Sequence, residues 1–351
     1  MVVVGADVHK RTHTFVAVDE VGRKLGEKTV RATTEGHLEA LMWARDRFGT
    51  DLLWGIEDCR NMSARLERDL LGGGQSVVRV PTKLMAAVRK STRSRGKSDP
   101  IDAEAVARAV LREPDLPVAS HDEVSRELKL LTDRRDVLVA QRTSAINQLR
   151  WHVHELDPER GPGPRALRAA KHQQALRSWL QTVSGVLAEV ARAELDDVIR
   201  LTAEINALAT RIQECVREAA PRLLELPGCA ELSAAKLLGE TAGITRFKSE
   251  SAFACHAGVA PIPVWSGNTA GQMRLSRSGN RQINAALHRV ALTQIRMPET
   301  ASHTYYHRLI ATGKTAKAAL RCVKRRIARQ VYRALLADHP SHDQLPQSAA
   351  A

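Results

Sequence analysis

The sequence predicts an α/β domain with a mixed sheet, followed by a helical coiled-coil region and a mainly α-helical C-terminal part. In the first third of the 351-residue chain, short apolar runs alternate with amphipathic stretches, as is typical of strands and helices sharing one sheet domain. The middle third has heptad spacing, and the last third has two long basic helical stretches. We therefore predict segments over residues 1–112, 113–218 and 219–338, with a disordered tail at 339–351.

Turn residues divide the first third into strands and helices. We predict strands over residues 1–7, 12–19, 24–32, 52–57 and 76–80. We predict helices over residues 35–48, 63–71, 83–90 and 99–111. A hairpin meander followed by alternating helices and strands favours a mixed sheet with helices on its faces.

A heptad seam marks the middle third as helical. Its apolar positions alternate three and four residues apart over three repeats: Val198, Leu201, Ile205, Leu208, Ile212, Cys215 and Ala219. Residues 128–156 keep this spacing with some charged positions, and a Gly–Pro cluster at 160–164 separates the two stretches. Two long helices follow, forming an antiparallel hairpin within one chain or a coiled coil between chains. A plain helical bundle packed within one chain fits the same spacing. The coiled coil between chains predicts a homo-oligomer.

The last third opens with a helix, a tight Leu-Pro-Gly turn at 226–228 and a second helix over 232–238. This order resembles a helix-hairpin-helix, whose helix N-terminus can approach a DNA phosphate. An ordinary turn between two helices has the same pattern. Helices over 280–294 and 314–336 follow, and the second is rich in lysine and arginine.

The charge distribution points to a polyanionic partner. The chain has 53 Lys and Arg against 39 Asp and Glu, a net charge of +14. Residues 1–112 carry +5, residues 113–218 carry −2, and residues 219–338 carry +12. A basic excess concentrated in one third of the chain favours nucleic acid as the partner over a generically solvated surface.

Composition also excludes several classes of protein. No apolar run approaches the ~20 residues of a membrane span, and the N-terminal residues lack the pattern of a signal peptide. The aromatic content of 3% argues against single-strand binding on stacked aromatic platforms. Five scattered cysteines without CxxC spacing exclude a zinc ribbon and a disulfide framework. We expect a cytoplasmic chain with no membrane partner.

Four carboxylates stand at positions that a sheet brings together. Asp7 ends the first predicted strand, Glu57 ends the fourth, and Asp99 and Asp102 begin a helix three residues apart, on one face. Acids converging at one sheet edge repel each other unless a cation neutralises them, and hard oxygen ligands suit Mg²⁺ or Mn²⁺. Each acid alone also has an ordinary role, such as a turn residue or, for Asp99 before Pro100, a helix cap.

Several motifs together resemble the Piv-like DEDD insertion-sequence transposases. In the first third they are residues 5–10 (GADVHK), 55–57 (GIE) and 96–103 (GKSDPIDA). In the last third they are residues 226–228 (LPG), 253–261 (FACHAGVAP), 265–267 (WSG), 278–280 (SGN), 305–306 (YY) and 313–314 (GK). The resemblance spans about residues 2 to 336, with conservative departures such as GVAP for the family's GLVP.

The resemblance implies a fold, a mechanism and partners. The first domain would be RuvC-like, an RNase H-type fold, with Asp7, Glu57, Asp99 and Asp102 as a Mg²⁺-binding tetrad. Ser266, at the family's Ser-Gly position, would be the nucleophile. The partners would be target and donor DNA, with a bridge RNA that selects them by base pairing, and synapsis of two duplexes would require an oligomer.

Without the family resemblance, Ser266 lies in a proline-flanked loop where Ser-Gly usually forms a turn. A serine hydroxyl needs a base or a metal to become a nucleophile. Ser278 fits better as the cap of the next helix. Basic residues that we expect to contact nucleic acid are Lys97, Arg274, Arg277, Arg281, Lys324, Arg325 and Arg326.

Three hypotheses fit these features. The first is a DNA transposase or recombinase that cuts and rejoins strands through a covalent serine–DNA link. The second is a RuvC-type, structure-selective endonuclease that uses metal-activated water and forms no covalent intermediate. The third is an architectural DNA-binding protein that kept the fold without the catalysis.

Overall fold

The chain divides into two compact units, residues 1–122 with 243–253, and residues 123–242 with 254–351. The computed structural model describes residues 1–57, 62–81, 84–85, 98–113, 116, 118–119, 122–163, 165–271, 273–275 and 279–339. Most of the predicted helix over 83–90 and the tail after residue 339 lie outside these residues. The four predicted segments stay our proposal for the organisation of the sequence.

The first unit contains a five-stranded mixed sheet in the order β3-β2-β1-β4-β5. Its strands are β1 (Val2–Val8), β2 (Thr12–Val18), β3 (Lys24–Arg31), β4 (Leu52–Glu57) and β5 (Ser76–Val80). β1 pairs antiparallel with β2 and parallel with β4, and β4 pairs parallel with β5. The predicted strands and the mixed α/β class are confirmed.

Helices cover both faces of this sheet because β1, at its centre, is apolar on both sides. The helices are α1 (Thr34–Phe48), α2 (Ala64–Gly72) and α3 (Asp99–Arg112). Val4 and Ala6 belong to the core shared with α1 and α2, whereas Val3 belongs to the core shared with α3. Side chains alternate along a strand, so Gly5 and Asp7 face α3 as Val3 does.

Two glycines let α3 lie directly on the centre of the sheet. Gly5 of β1 and Gly55 of β4 are register partners. A Cβ on Gly5 would come within 2.1 Å of the Ala103 carbonyl oxygen, and one on Gly55 within 2.7 Å of the Val110 side chain. A side chain at either position would push the helix away, so the glycines set the depth of α3 on the strand ends that carry the acids.

The rest of the described chain is mainly helical. Its helices are α4 (Glu123–Leu156), α5 (Ala170–Leu180), α6 (Val186–Ala219), α7 (Pro221–Leu224), α8 (Glu231–Thr241), α9 (Glu250–His256), α10 (Arg281–Arg296), α11 (Ala301–Ala311) and α12 (Ala316–Ala337). A small antiparallel hairpin, β6 (Pro261–Pro263) with β7 (Met273–Leu275), lies between α9 and α10. Among the described helices, none is both long and apolar enough to cross a bilayer.

The heptad seam of α6 packs within the chain. Leu138 of α4 forms a buried cluster with Leu201 and Ile205 of α6. His152 Nδ1 lies 2.8 Å from Glu194 Oε2, while the Arg211 side chain pairs with Glu127 near the other end of the two helices. The helices are therefore antiparallel, and the intrachain hairpin is the correct alternative. Because the seam is filled by the chain itself, it is not an argument for an oligomer.

The two helices predicted on either side of the 226–228 turn are α7 and α8. Gly228 in the turn has φ +75°, which favours glycine. A Cβ there would also lie 2.8 Å from the Thr293 side chain of α10. This turn is therefore tied to α10, the helix that follows the predicted serine loop.

Candidate functional site: an acidic cluster and a serine loop

Strand register places Asp7 beside Glu57. The parallel pairing of β1 and β4 runs to Ala6 opposite Ile56, and Asp7 and Glu57 are the next residues on their strands. Adjacent strands lie about 4.8 Å apart, and both residues alternate with the glycines that face α3. The two acids predicted from strand ends therefore share one face and one edge of the sheet.

The first turn of α3 supplies the other two acids. Ser98 is at the N-cap position, Asp99 is the first helical residue, and Asp102 follows one turn later. The ordinary role considered for Asp99 was that of the helix cap, but Ser98 occupies the cap position instead. Asp102 precedes Ala103, the residue whose carbonyl oxygen contacts β1 at Gly5. The predicted convergence of strand ends and helix start brings Asp99 and Asp102 to Asp7.

Burial and like charge make this cluster electrostatically strained. Asp7 is 9% exposed and Asp102 is 6% exposed. Burial raises the pKa of Asp7, and the nearby carboxylates of Asp102 and Asp99 raise it further, against the opposing effect of His9. A bound cation would remove this repulsion.

His9 is a member of the cluster that sequence reasoning missed. Its Nε2 lies 2.9 Å from Asp7 Oδ2 and 3.5 Å from Asp99 Oδ1. The ligand atoms of Asp7, His9 and Asp99 all lie within 4.8 Å of one another. The available signal was the spacing, since a residue two positions after Asp7 continues the same face of the strand.

A buried histidine pair supports the turn that carries His9. The His9 backbone N–H donates to the Thr12 carbonyl oxygen at 3.2 Å and to His13 Nδ1 at 3.3 Å. Burial lowers the pKa of His13 to about 4, with His37 adding to the effect, so His13 is neutral at pH 7 and its Nδ1 can accept. The His13 ring stacks on His37, whose Nδ1 lies 2.6 Å from Asp69 Oδ2.

The donor set of this cluster fits a divalent cation. Carboxylate oxygens predominate, as Mg²⁺ and Mn²⁺ prefer, and Asp7 is buried with carboxylate neighbours whose repulsion a cation would offset. Asp7, Asp99, Asp102 and, by register, Glu57 could each offer an oxygen. Such an ion stabilises the charge that develops on the entering and leaving oxygens of a phosphoryl transfer.

Ser266 belongs to a loop of the second unit whose two ends are joined at the base. Gly258 and Gly279 lie so close that a Cβ on Gly279 would come within 2.2 Å of the Gly258 backbone. The Asn280 backbone N–H donates to the His256 carbonyl oxygen at 2.6 Å. The Asn284 side chain donates to the carbonyl oxygens of Ala257 and Gly258 at 3.0 and 3.1 Å. The serine loop, residues 259–278, is therefore closed at a defined point.

Asn280 also caps the helix after the loop. Its Oδ1 accepts from the backbone N–H groups of Gln282 and Ile283, and its Nδ2 donates to Glu240 Oε2 at 2.7 Å. Asn280 therefore occupies the capping position that we predicted for Ser278, and Ser278 itself lies outside the described residues. The link to Glu240 ties the loop base to α8.

Lys324 is a buried support of the loop base, which corrects its prediction as a nucleic-acid contact. It is 8% exposed, and its Nζ donates to Asn284 Oδ1 at 2.5 Å. Burial lowers its pKa, with the charge of Arg321 contributing. An ammonium that is held inside the fold cannot reach a phosphate outside it.

We expect Lys324→Ala to destabilise the second unit by about 1–3 kcal/mol, because Asn284 Oδ1 loses its donor inside the fold. The matched control is Lys317→Ala, which removes an exposed lysine from the same helix. Urea unfolding of the two variants measures the difference. Equal unfolding free energies for both variants would show that Lys324 is not a structural support.

The serine loop is exposed around Ser266. Ser266 is exposed, as are Trp265 before it and Arg274 on β7. Gly267 has φ +48° and begins a single 3₁₀ turn. Arg281, the first residue of α10, is exposed as well. The predicted contacts Arg277 and Lys97 lie outside the described residues.

The helix α12 carries a basic stripe, which we define as five residues spaced by four: Lys317, Arg321, Arg325, Arg329 and Arg333. All are exposed except Arg325, which is half-buried. The neighbouring Arg326 is exposed and lies 5.5 Å from the centre of the Tyr305 ring. Spacing by four places side chains on one side of a helix, so the stripe forms one positive face.

Two family models match this chain. A DEDD transposase model of the IS110 type matches residues 4–158, and a model described as the IS116/IS110/IS902 transposase family matches residues 220–307. Together they span about two-thirds of the chain, and they include the four acids and Ser266.

Proteins of three insertion elements are similar to the chain over nearly its whole length. A 42 kDa protein of IS900 from Mycobacterium paratuberculosis is 28% identical, covering 99% of this chain and 98% of the relative. A 44.8 kDa protein of IS116 from Streptomyces clavuligerus is 27% identical, covering 92% of each chain. A 43.6 kDa protein of IS110 from Streptomyces coelicolor is 26% identical, covering 93% of this chain and 92% of the relative.

Proposed function

Because this chain belongs to the IS110 family of insertion-sequence transposases, we propose that it cuts and rejoins DNA with Ser266 as nucleophile and Asp7, Glu57, Asp99 and Asp102 as ligands of a divalent cation. The family assigns DNA as the substrate and transposition as the process. Its first unit is a RuvC-like domain. The observation that carries the proposal is the convergence of Asp99 and Asp102 on the buried Asp7, with Glu57 beside it in register.

The reaction conserves phosphodiester bonds. The Ser266 Oγ attacks a backbone phosphorus, the bond from that phosphorus to one strand breaks, and that strand leaves with a terminal hydroxyl group. The serine proton passes to a base, and the DNA stays joined to the protein through a phosphoserine link. Attack by the hydroxyl of another strand then releases the serine, so strands are exchanged without net hydrolysis.

We propose Mg²⁺ as the cation, with Mn²⁺ as an alternative, since both accept carboxylate oxygens. The four acids would hold the ion, and two of them, Asp7 and Asp102, are buried, whereas Asp99 is exposed. An ion at this site supplies electrostatic stabilisation of the phosphorane-like charge in the transition state.

The test is the capture of a covalent intermediate. The purified chain is incubated with Mg²⁺ and labelled DNA that contains the element's ends, and the mixture is denatured in detergent. We expect a DNA adduct that maps to the peptide containing Ser266 and that does not form with a chelator. Cleavage without an adduct would favour a RuvC-type endonuclease, and DNA binding without cleavage would favour an architectural protein.

We also propose a structured bridge RNA and an oligomer as partners. The family resemblance supports the RNA, and the concentration of positive charge in residues 219–338 provides a surface for phosphates of either nucleic acid. The oligomer, a dimer or a tetramer, is supported by the chemistry, since exchange between two duplexes needs more than one serine. Arg274, Arg281, Arg325 and Arg326 remain proposed contacts, as do Lys97 and Arg277.

We expect the double variant Lys317→Glu and Arg321→Glu to weaken duplex binding by about tenfold or more near 0.1 M salt. Removal of each cation that neutralises a phosphate should also lower the salt slope of the affinity by about one, so the double variant should lower it by about two. Arg126→Glu, an exposed reversal in the net-negative middle segment, is the control. Fluorescence anisotropy across salt concentrations measures both quantities. An unchanged slope would exclude the basic stripe from the interface.

A further inference from the structure

His9 places an imidazole nitrogen among the proposed carboxylate ligands. Its Nε2 lies 2.9 Å from an Asp7 oxygen and 3.5 Å from an Asp99 oxygen. The side chain is half-exposed, so it can turn toward a bound ion. The turn that carries it is fixed by the backbone hydrogen bonds to Thr12 and His13.

The spacing suits three ligands of one ion. Ligands at about 2.1 Å from an octahedral cation lie about 3.0 Å apart when adjacent and about 4.2 Å apart when opposite. The ligand atoms of Asp7, His9 and Asp99 all lie within 4.8 Å of one another, and the two distances from His9 Nε2, 2.9 and 3.5 Å, are close to the adjacent spacing. One ion among them can therefore contact all three with small side-chain rotations.

We infer that His9 is a nitrogen ligand of the cation and that it makes this site prefer Mn²⁺ to Mg²⁺. The inference rests on the proposed function, since it assumes that the acids hold an ion. Mg²⁺ binds oxygen almost exclusively and gives up its water reluctantly, whereas imidazole is a better ligand for transition metals. A site with carboxylates alone has no such preference built into it.

The alternative role for His9 is a hydrogen-bond donor that only orients the Asp7 carboxylate. Outer hydrogen-bonding partners of this kind tune metal affinity by about 10- to 100-fold. They do not bring a nitrogen nucleus to bonding distance of the ion, and they affect Mg²⁺ and Mn²⁺ to a similar degree. The two roles therefore predict different results in two measurements. One is the nitrogen coupling in the spectrum of bound Mn²⁺, and the other is the ratio of Mn²⁺ affinity to Mg²⁺ affinity.

The experiment is pulsed electron paramagnetic resonance of Mn²⁺ added to the full-length chain without DNA. We expect a coupling from one directly bound ¹⁴N in the wild type, and its loss in His9→Ala with the carboxylate-bound signal kept. His154→Ala, at an exposed histidine of α4, is the control and should keep the coupling. Asp7→Asn should remove the bound-ion signal, which distinguishes this site from adventitious surface carboxylates.

Calorimetric titration provides the second readout. We expect His9→Ala to weaken Mn²⁺ binding by about tenfold or more and Mg²⁺ binding by less than about threefold. Bound Mn²⁺ without nitrogen coupling, or equal losses for the two ions, would overturn the inference and leave the proposed function intact. Failure of the wild type to bind either ion would instead contradict the proposed function. The wild-type spectrum decides the question even if His9→Ala does not fold.

Discussion

Ser266→Ala is expected to abolish the detergent-resistant protein–DNA adduct and to lower strand cleavage by about 10³-fold or more. The hydroxyl oxygen is the proposed attacking atom, and alanine has no oxygen to form the covalent link. Because Ser266 is exposed in its loop, the substitution removes one oxygen without opening a cavity. The variant should therefore fold as the wild type does, and its DNA affinity should stay within about twofold of the wild-type value.

The matched control for this prediction is Asn268→Ala, which removes an exposed polar side chain from the same loop. Its adduct yield should equal that of the wild type. An adduct that persists in Ser266→Ala would assign the nucleophile to another residue. Cleavage that persists without an adduct would support the endonuclease alternative, in which water attacks.

Asp7→Asn is expected to lower cleavage by about 10³-fold or more while DNA binding changes by less than about threefold. The substitution keeps the shape of the side chain but removes a charge that would hold the proposed cation. Glu104→Gln is the control, since it lies on the same helix as Asp102 and pairs with Arg108 at 2.6 Å. Cleavage by the control should match the wild type.

Although Asp7→Asn should lower cleavage, it should not lower the stability of the folded chain. The raised pKa of Asp7 means that the native state binds this proton more tightly than the unfolded state does. Stability therefore falls as pH rises from the ordinary value of 3.8 through the raised one, and the loss persists at neutral pH. In a chelator at pH 7, Asp7→Asn should melt at or above the wild-type temperature. A clear drop in melting temperature would contradict this electrostatic account.

The acidic cluster could be predicted from sequence because strand alternation and helix periodicity fix where acids point. Asp7, Asp99 and Asp102 meet for this reason. The depth of α3 on the sheet could not be predicted in the same way, since it depends on Gly5 and Gly55 lying opposite each other across two strands distant in sequence. His9 was missed because its signal, a spacing of two residues from Asp7, is also common where a histidine has no role at a metal site.

The basic helix and the heptad seam show where one-dimensional patterns are ambiguous. Lys324 and its neighbours form one basic run, yet helix rotation buries Lys324 against Asn284 and exposes Arg321. The seam containing Ile205 predicts a partner helix but cannot say whether that helix belongs to the same chain. Ile205 packs against Leu138 of the same chain because the segment between the two long helices folds one helix back on the other. The serine loop's closed base likewise depends on distant residues, such as Glu240 and Asn280.

The central claim, that the acids at this sheet edge hold a divalent cation, is tested most directly by anomalous diffraction from crystals of the full chain soaked in Mn²⁺. We expect a Mn²⁺ peak within about 2.3 Å of carboxylate oxygens from both Asp7 and Asp99. Mn²⁺ bound only elsewhere on the molecule, or no peak at this edge at saturating concentration, would contradict it.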